Sequence, residues 1–347
     1  MCGICLQLSG LTRRKMKILF IGGTGNLSLA CAEYLASQGH EISILNRGKS
    51  KIETPFEQII ADRNQPGALK KALQDRHFDV IADFICFDAQ QAETAFEACR
   101  GRCAQYIFIS TTVVYAKPHQ KLPVTEQSPT GNNFSAYGRD KEAAENFLFS
   151  KYADDGFPIT IVRPSHTYSE RWLPNVVSSL GYTLAARLEQ GKPIFVHDDG
   201  QGLWTLTHVR DFAVGFAGLC GNTRSIGQVY QITSDMVLTW NQIMRETAWA
   251  LHIEEPEILT IPSEFICRIR PDMNGKLFGD KACAGIFDCA KLKKLVPDFD
   301  CRISFRQGIR ESVAWFKADP ARQTVDPEAD QIFDQVCQAW KEQKSDN

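Results

Sequence analysis

Excess charge is what this chain of 347 residues lacks first: 39 basic residues stand against 41 acidic ones, and the two signs are mixed along its length. The net charge of −2 leaves no basic stripe for nucleic acid and no polybasic patch for a membrane surface. No apolar run is long enough for a membrane span. The short one near the amino terminus precedes Arg13-Arg14-Lys15, the reverse of the order in a secretory signal. Internal repeats and low-complexity tracts are also missing. Cysteine is plentiful, twelve in all, but it lacks any pairing framework or finger-like spacing with histidine. Cys31, Cys86, Cys99, Cys220 and Cys289 sit among apolar neighbours, as small buried side chains do. Cys2-x-x-Cys5 and Cys99-x-x-x-Cys103 have no second ligand pair, so no metal site is expected. A reducing, cytoplasmic compartment suits this cysteine usage. Residues 1–15 read as a disordered leader ahead of a fold that starts at Met16-Lys17.

What is present begins with Lys17-Ile18-Leu19-Phe20-Ile21-Gly22-Gly23-Thr24-Gly25-Asn26-Leu27-Ser28. Five mostly branched or aromatic residues form a buried strand, and the glycines let the chain turn sharply into a helix running to about Gln38. Unpaired N–H groups and the positive helix end favour an anion in such a bend. Gly22 permits the turn, and Gly25 lets a pyrophosphate approach the backbone, beside Thr24, Asn26 and Leu27. The third fingerprint place holds Ser28 instead of glycine, which predicts slightly looser packing of helix on strand. An ordinary glycine-rich turn would have the same pattern.

Strand and helix then alternate. Glu41–Leu45, Gln58–Ala61, Asp79–Ile85 and Gln105–Ser110 read as strands, and helices are expected from Pro66 to Leu73 and from Asp88 to Arg100. Short strands separated by helices predict right-handed crossovers and an α/β fold, a Rossmann-type, doubly wound parallel sheet covered on both faces. Ligands in such sheets lie beyond the carboxyl ends of the strands. There Asn46 and Arg47 end the second strand, Asp62 ends the third at the adenine, and Phe84 lies on the fourth. An acidic residue at the second strand end would select NAD, and none is present. Arg47 with Lys49 or Lys51 slightly favours NADP, as a clamp on the 2′-phosphate, over NAD; a solvated loop cation is the alternative.

Past the fifth strand stands Ser110-Thr111-Thr112-Val113-Val114-Tyr115, and later Ser135-Ala136-Tyr137-Gly138-Arg139-Asp140-Lys141 opens a strong helix. Tyr137 and Lys141, four apart, share a helix face. An ammonium near a phenol favours the phenolate and lowers its pKa from about 10 towards working pH, as a tyrosine base requires. Thr111 can hydrogen-bond the substrate oxygen. A packed tyrosine beside a surface lysine would give the same spacing.

With these residues goes Val162-Arg163-Pro164-Ser165-His166-Thr167-Tyr168, and the ordered set resembles the extended short-chain dehydrogenase/reductases, the NAD-dependent epimerase/dehydratase family, from about Met16 to Lys317. The resemblance implies an NAD(P)-dependent epimerase or dehydrogenase/reductase acting on a carbinol or ketone of a sugar or nucleotide sugar. Thr111, Tyr137 and Lys141 would be catalytic, with Tyr137 as base and Lys141 lowering its pKa and holding the nicotinamide ribose. Pro164 would border the cofactor, and Thr112, His166, Trp204 and Arg270 would face substrate.

Two departures narrow this reading. Thr112-Val113 replaces the Asp-Glu pair that performs elimination in dehydratases, so dehydration is not expected. Trp204 stands where nucleotide-sugar enzymes carry an arginine for the diphosphate, and His166 where they carry asparagine. The alternatives are a reductase of a non-sugar ketone and a catalytically silent relative binding a dinucleotide or RNA.

The division expected is a dinucleotide-binding domain at 16–168, a smaller, mainly substrate-binding lobe at 169–325 with returns to the first domain, and a terminal helix at 326–347. Within the lobe, Asn175 to Gln190 reads as a helix, Asp211 to Cys220 as a helix returning to the first domain, and Arg270–Gly275 as a loop over the substrate. The partners expected are a small-molecule substrate and a second copy of the chain, a homodimer through helices 88–100 and 135–152, with no nucleic acid and no membrane.

Overall fold

The computed structural model describes residues 14–50 and 52–345; the Cys2/Cys5 pair, Lys51 and most of the expected leader lie outside them. The first half alternates as its sequence dictates: β1 Lys17–Ile21, α1 Asn26–Ser37, β2 Glu41–Asn46, β3 Glu57–Ile60, α2 Ala68–Leu73, β4 Phe78–Asp83, α3 Ala89–Cys99, β5 Cys103–Ile109, α4 Ala136–Asp155 and β6 Ile159–Pro164. The second half continues with β7 His166–Tyr168, α5 Thr183–Glu189, β8 Ile194–His197, β9 Leu203–His208, α6 Val209–Leu219, β10 Gln228–Ile232, β11 Val237–Thr239, α7 Trp240–Ala250 and β12 Ile258–Ile261. Short helices follow, then longer ones at Phe305–Lys317 and Pro327–Ser345.

Seven strands form one parallel sheet in the order β10-β6-β5-β4-β1-β2-β3. The pleat divides β1 between two cores. Ile18 and Phe20 pack with Leu35 of α1 and Phe212 and Phe216 of α6. Leu19 and Ile21 join Phe96 of α3 and Leu148 of α4 on the other face. Each such buried side chain contributes about 1.5–3 kcal/mol. Strand order reverses between β1 and β4, so a crevice opens beyond Ile21 and Asp83, the switch point where doubly wound sheets bind ligands.

The carboxyl-terminal half returns twice to this sheet, through α6 and β10, as expected for 211–220. It also builds a third core around Trp204, Trp240, Phe195, Phe265 and Phe333, on the small sheets β7-β9-β11 and β8-β12.

Two expectations fail here. The helix expected from Asn175 starts only at Thr183, because the Asn175 side chain captures local backbone groups, donating to the carbonyls of Leu173 (2.9 Å) and Ser178 and accepting from the N–H groups of Val177 and Ser178, both at 2.9 Å. Gly181, at φ +73°, completes the break. The loop expected at 270–275 is instead a run of short helical turns, Pro271–Met273 and Asn274–Lys276, continued by π-helix at Leu277–Lys281, anchored by the fully buried Met273 and Leu277.

Candidate active site

The glycine bend is tightly determined. Gly22 has φ +86°, and a Cβ there would stand 2.5 Å from Ile85; one on Gly23 would stand 2.7 Å from Ile44. Ser28 does not loosen the turn as its sequence position suggested. Its hydroxyl donates to the Gly22 carbonyl at 2.7 Å and accepts from the Gly25 N–H at 3.0 Å, clasping the bend from the first turn of α1. Asn26, at the start of α1, has both side-chain polar atoms buried without a hydrogen-bond partner. Orphan donors at a helix start beside a glycine cradle suit a bound phosphate.

From this bend a cleft runs both ways. Towards β2 and β3 it is lined by Thr24, Asn46, Arg47, Lys49, Asp62 and Arg63 among others, and it holds about 530 Å³. Asn46 accepts from the Gly48 N–H at 2.7 Å and so shapes the loop carrying Arg47. Neither Arg47 nor Lys49 forms an ion pair among the described residues, and both face the cleft. Asp62 accepts from the Asn64 N–H at 3.0 Å. Sequence reasoning missed Arg63, whose guanidinium reaches both Asp83 oxygens, at 2.7 and 2.9 Å. Tyr106 donates to the same carboxylate at 2.8 Å. Buried this way, the pair ties the loop after β3 to the carboxyl end of β4; an arginine after an aspartate in a loop carries no signal of it.

In the other direction the cleft holds about 720 Å³ and shares Gly22, Gly25, Ile85 and Phe87 with the first arm. Phe84, Thr111, Thr112, Tyr137, Lys141, Pro164 and His166 all line it, along with Asn26 and Leu27. Thr111 accepts from the Val113 N–H at 3.2 Å and caps the turn Thr112–Val114. Ser135 caps α4 by accepting from the Gly138 N–H at 3.1 Å. Gly138 is needed because a Cβ there would stand 2.7 Å from the Val113 carbonyl. That close approach sets Tyr137 beside Thr111.

The electrostatics differ from the expectation. Lys141 donates to the carbonyls of Cys86 at 2.6 Å and Ile109 at 2.7 Å, and its nitrogen sits 5.9 Å from the centre of the Tyr137 ring. Burial lowers its pKa to about 8. Tyr137 keeps 44% of its surface exposed, yet the atoms crowding its hydroxyl push the pKa up to about 12. Contact with the Thr111 hydroxyl works the other way, and Asp280 adds to the rise. The expected lowering of the phenol by Lys141 is therefore not what this arrangement produces: two carbonyls hold the ammonium away from it. An ammonium has three donors, and two are spent, so one remains for a ligand.

Two residues expected at the substrate stand elsewhere. Arg270 does not line the cleft; it pairs with Asp272 at 2.8 Å and approaches Glu328 and Gln335, because acidic and amide side chains of the carboxyl-terminal helix lie within its reach. Trp204 is 4% exposed and lies behind His166, donating its indole N–H to His166 Nδ1 at 3.2 Å. Sequence reasoning also missed Ser179, Lys276, Asp280 and Lys281, which line the same arm of the cleft from the carboxyl-terminal half of the chain. Ser179 sits in the segment expected to be helical, and the other three lie in or just after the helical turns that replace the expected 270–275 loop. No cluster suited to a metal ion occurs among the described residues.

The model of the NAD dependent epimerase/dehydratase family matches residues 18–233. The chain is 26% identical over 290 residues to a 2′-dehydrokanamycin reductase of Streptomyces kanamyceticus, over 83% of this chain and 81% of that one. It is 29% identical to the chloroplast stem-loop binding protein of 41 kDa b of Arabidopsis thaliana, over 72% and 67% of the two chains. Its fold is similar to that of UDP-glucose 4-epimerase from Bifidobacterium longum, solved with NAD+ and UDP: TM-score 0.72, 17% identity, 89% of this chain and 100% of the other. With a parallel sheet, a glycine cradle at its switch point and a match over more than half its length, the chain belongs to the NAD dependent epimerase/dehydratase family, the extended short-chain dehydrogenase/reductases.

Proposed function

We propose that the protein is an NAD(P)-dependent oxidoreductase or epimerase that moves a hydride at a carbinol or ketone of a sugar or nucleotide sugar. The observation that carries this reading is continuity: the Gly22–Gly25 bend and Thr111, Tyr137 and Lys141 line one cleft. The Asn26 side chain and the cations Arg47 and Lys49, without partners among the described residues, fit a dinucleotide. Gly22, Thr24, Gly25, Asn26 and Leu27 would hold its diphosphate, Asp62 and Asn46 its adenosine, Phe84, Pro164 and Lys141 its nicotinamide end. When bound, that group supplies or accepts the hydride. Tyr137 gives or takes the proton at the substrate oxygen, and Thr111 orients that oxygen. Lys141 keeps positive charge beneath the phenol. Thr112 touches substrate, and Val113 cannot carry a proton, so elimination is not part of the reading.

NADP is preferred to NAD in this reading, because Arg47 and Lys49 offer unneutralised charge where a ribose 2′-phosphate would lie. The protein works in a reducing cytoplasm, where its described cysteines stay unpaired. It forms a homodimer through α3 and α4. Glu93, Glu97, Arg139, Asp140 and Asn146 are exposed on those helices, so the contact would be polar and weak.

The likeness to a stem-loop binding protein supports a second reading, a cleft that binds a nucleotide or RNA without turnover. Thermal-shift titration with NAD and NADP, followed by assay of wild type and Tyr137→Phe on a panel of ketones and nucleotide sugars, separates the two. The proposed enzyme turns over and the variant does not, with cofactor affinity kept. A wild type that binds a dinucleotide or RNA but converts nothing supports the second.

A further inference from the structure

The two positions where the chain departs from its family's substrate pattern touch each other. Indole nitrogen is a donor only, so the 3.2 Å contact from Trp204 Nε1 makes His166 Nδ1 an acceptor. A neutral imidazole with Nδ1 accepting carries its proton on Nε2, and burial together with Lys281 keeps His166 neutral, its pKa down at about 3. Nε2 therefore donates to Ser179 Oγ at 3.1 Å. With that oxygen accepting, the Ser179 hydroxyl proton is left to donate elsewhere, and Ser179 lines the cleft. The loop presenting it is held by Asn175 and by the Leu173 N–H, which donates to the Ser179 carbonyl at 3.0 Å.

The second wall of this corner is built alike. Trp240 lies against Trp204, ring centres 5.3 Å apart, and donates its indole N–H to the Lys281 carbonyl at 3.2 Å. The Lys281 side chain is only 16% exposed, its ammonium 3.6 Å from Asp280. Three cations, Lys141, Lys276 and Lys281, line this arm of the cleft against the single carboxylate of Asp280.

We propose that the adjoining tryptophans Trp204 and Trp240, their rings tilted by 34°, position a substrate subsite in which the Ser179 hydroxyl and the Lys281 ammonium donate together to an anionic oxygen group, a carboxylate or a phosphate. The proposal rests on the reading of the cleft as a cofactor-and-substrate site, and it names the substrate class: an acidic sugar derivative, not a polycationic one. Trp204 is a positioning residue, acting through His166.

The test uses the full chain saturated with NADP, so that failure to bind NADP defeats the underlying reading before any sugar is added. Calorimetric titrations then compare glucuronate and glucose 6-phosphate each with neutral glucose, and kanamycin as polycation. An acidic probe should bind about tenfold or more tighter than its neutral partner, the size a hydrogen bond to a charged group gives. Glucuronate and glucose 6-phosphate distinguish carboxylate from phosphate. Lys281→Gln and Ser179→Ala should each remove most of that preference, with NADP affinity unchanged. In Trp204→Phe the nitrogen-15 spectrum of His166 should lose its pure Nε2–H tautomer, a change that loosened packing alone would not give. Acidic probes that bind no tighter than neutral ones, kanamycin binding tightest, or a preference that survives Lys281→Gln, each overturn the proposal.

Discussion

The ammonium of Lys141 lies 2.7 Å from the carbonyl oxygen of Ile109, so α4 is fastened through its own side chain to the carboxyl end of β5. Tyr137, one turn earlier on α4, is thereby held over the cleft near Thr111. Removing the phenol and removing the fastener should have separable effects. Tyr137→Phe should cut turnover by about a thousandfold or more, the scale of positioned acid–base catalysis, and leave the NADP dissociation constant within about twofold. Lys141→Met should lose turnover and also weaken NADP binding about tenfold, since a charged donor is gone. Steady-state kinetics with fluorescence titration of NADPH reads both; equal cofactor affinity in the two variants would contradict the role given to Lys141.

The raised phenol sets the pH behaviour. With its pKa at about 12, Tyr137 is protonated throughout the neutral range. Reduction, which needs the acid form, should show no limb from this group between pH 6 and 10. Oxidation, which needs the base form, should climb about tenfold per pH unit from pH 6 to about 8 and then level as Lys141 loses its proton. A profile for oxidation that is flat over this interval would show the phenol to be acidified in the working enzyme.

Coenzyme choice should turn on Arg47. Replacing it by glutamate puts an acceptor where the 2′-phosphate would lie, so affinity for NADP should fall by about 10- to 100-fold while that for NAD holds or improves. Titration of both coenzymes on wild type and variant decides it; an unchanged NADP/NAD ratio would place Arg47 in solvent.

Arg163 of β6 and Glu145 of α4 make a two-bonded pair, Nε to Oε1 at 2.9 Å, with side chains 5% and 4% exposed. Arg163→Met would leave the carboxylate buried alone, which costs about 3–5 kcal/mol. Urea unfolding should show that loss, and a change under about 1 kcal/mol would mean that water reaches the pair.

Acid should unfold the protein through its histidines. Burial holds the pKa values of His166 at about 3 and of His197 and His208 at about 4, below the usual 6.5. The unfolded chain then binds more protons, so stability is full above pH 6.5 and falls as pH drops towards 4. Each pKa unit is worth about 1.4 kcal/mol, which makes a loss of about 10 °C in melting temperature from pH 7.5 to pH 5 the expected result. A melting temperature constant over that range would contradict the neutral burial of these rings.

The amino-acid order alone determined the parallel sheet, its glycine bend and most of the expected cleft residues between Gly22 and Pro164, Arg63 excepted, since these depend on local period, on glycine at fixed offsets and on the rule that strand ends gather at one edge. Within each strand end and the helix that follows, spacing could stand in for geometry. Only the tertiary structure decided the far end of the cleft. Arg270 went to a surface cluster with Asp272 and Glu328, and Trp204 went behind His166. Ser179 and Lys281 entered from segments whose backbone follows Asn175 and the buried Met273 and Leu277. It also decided the charges, because burial and the carbonyls of Cys86 and Ile109 set what Lys141 can do. Side chains that meet across the fold are chosen by packing of distant elements, and a pKa belongs to the surroundings that packing creates.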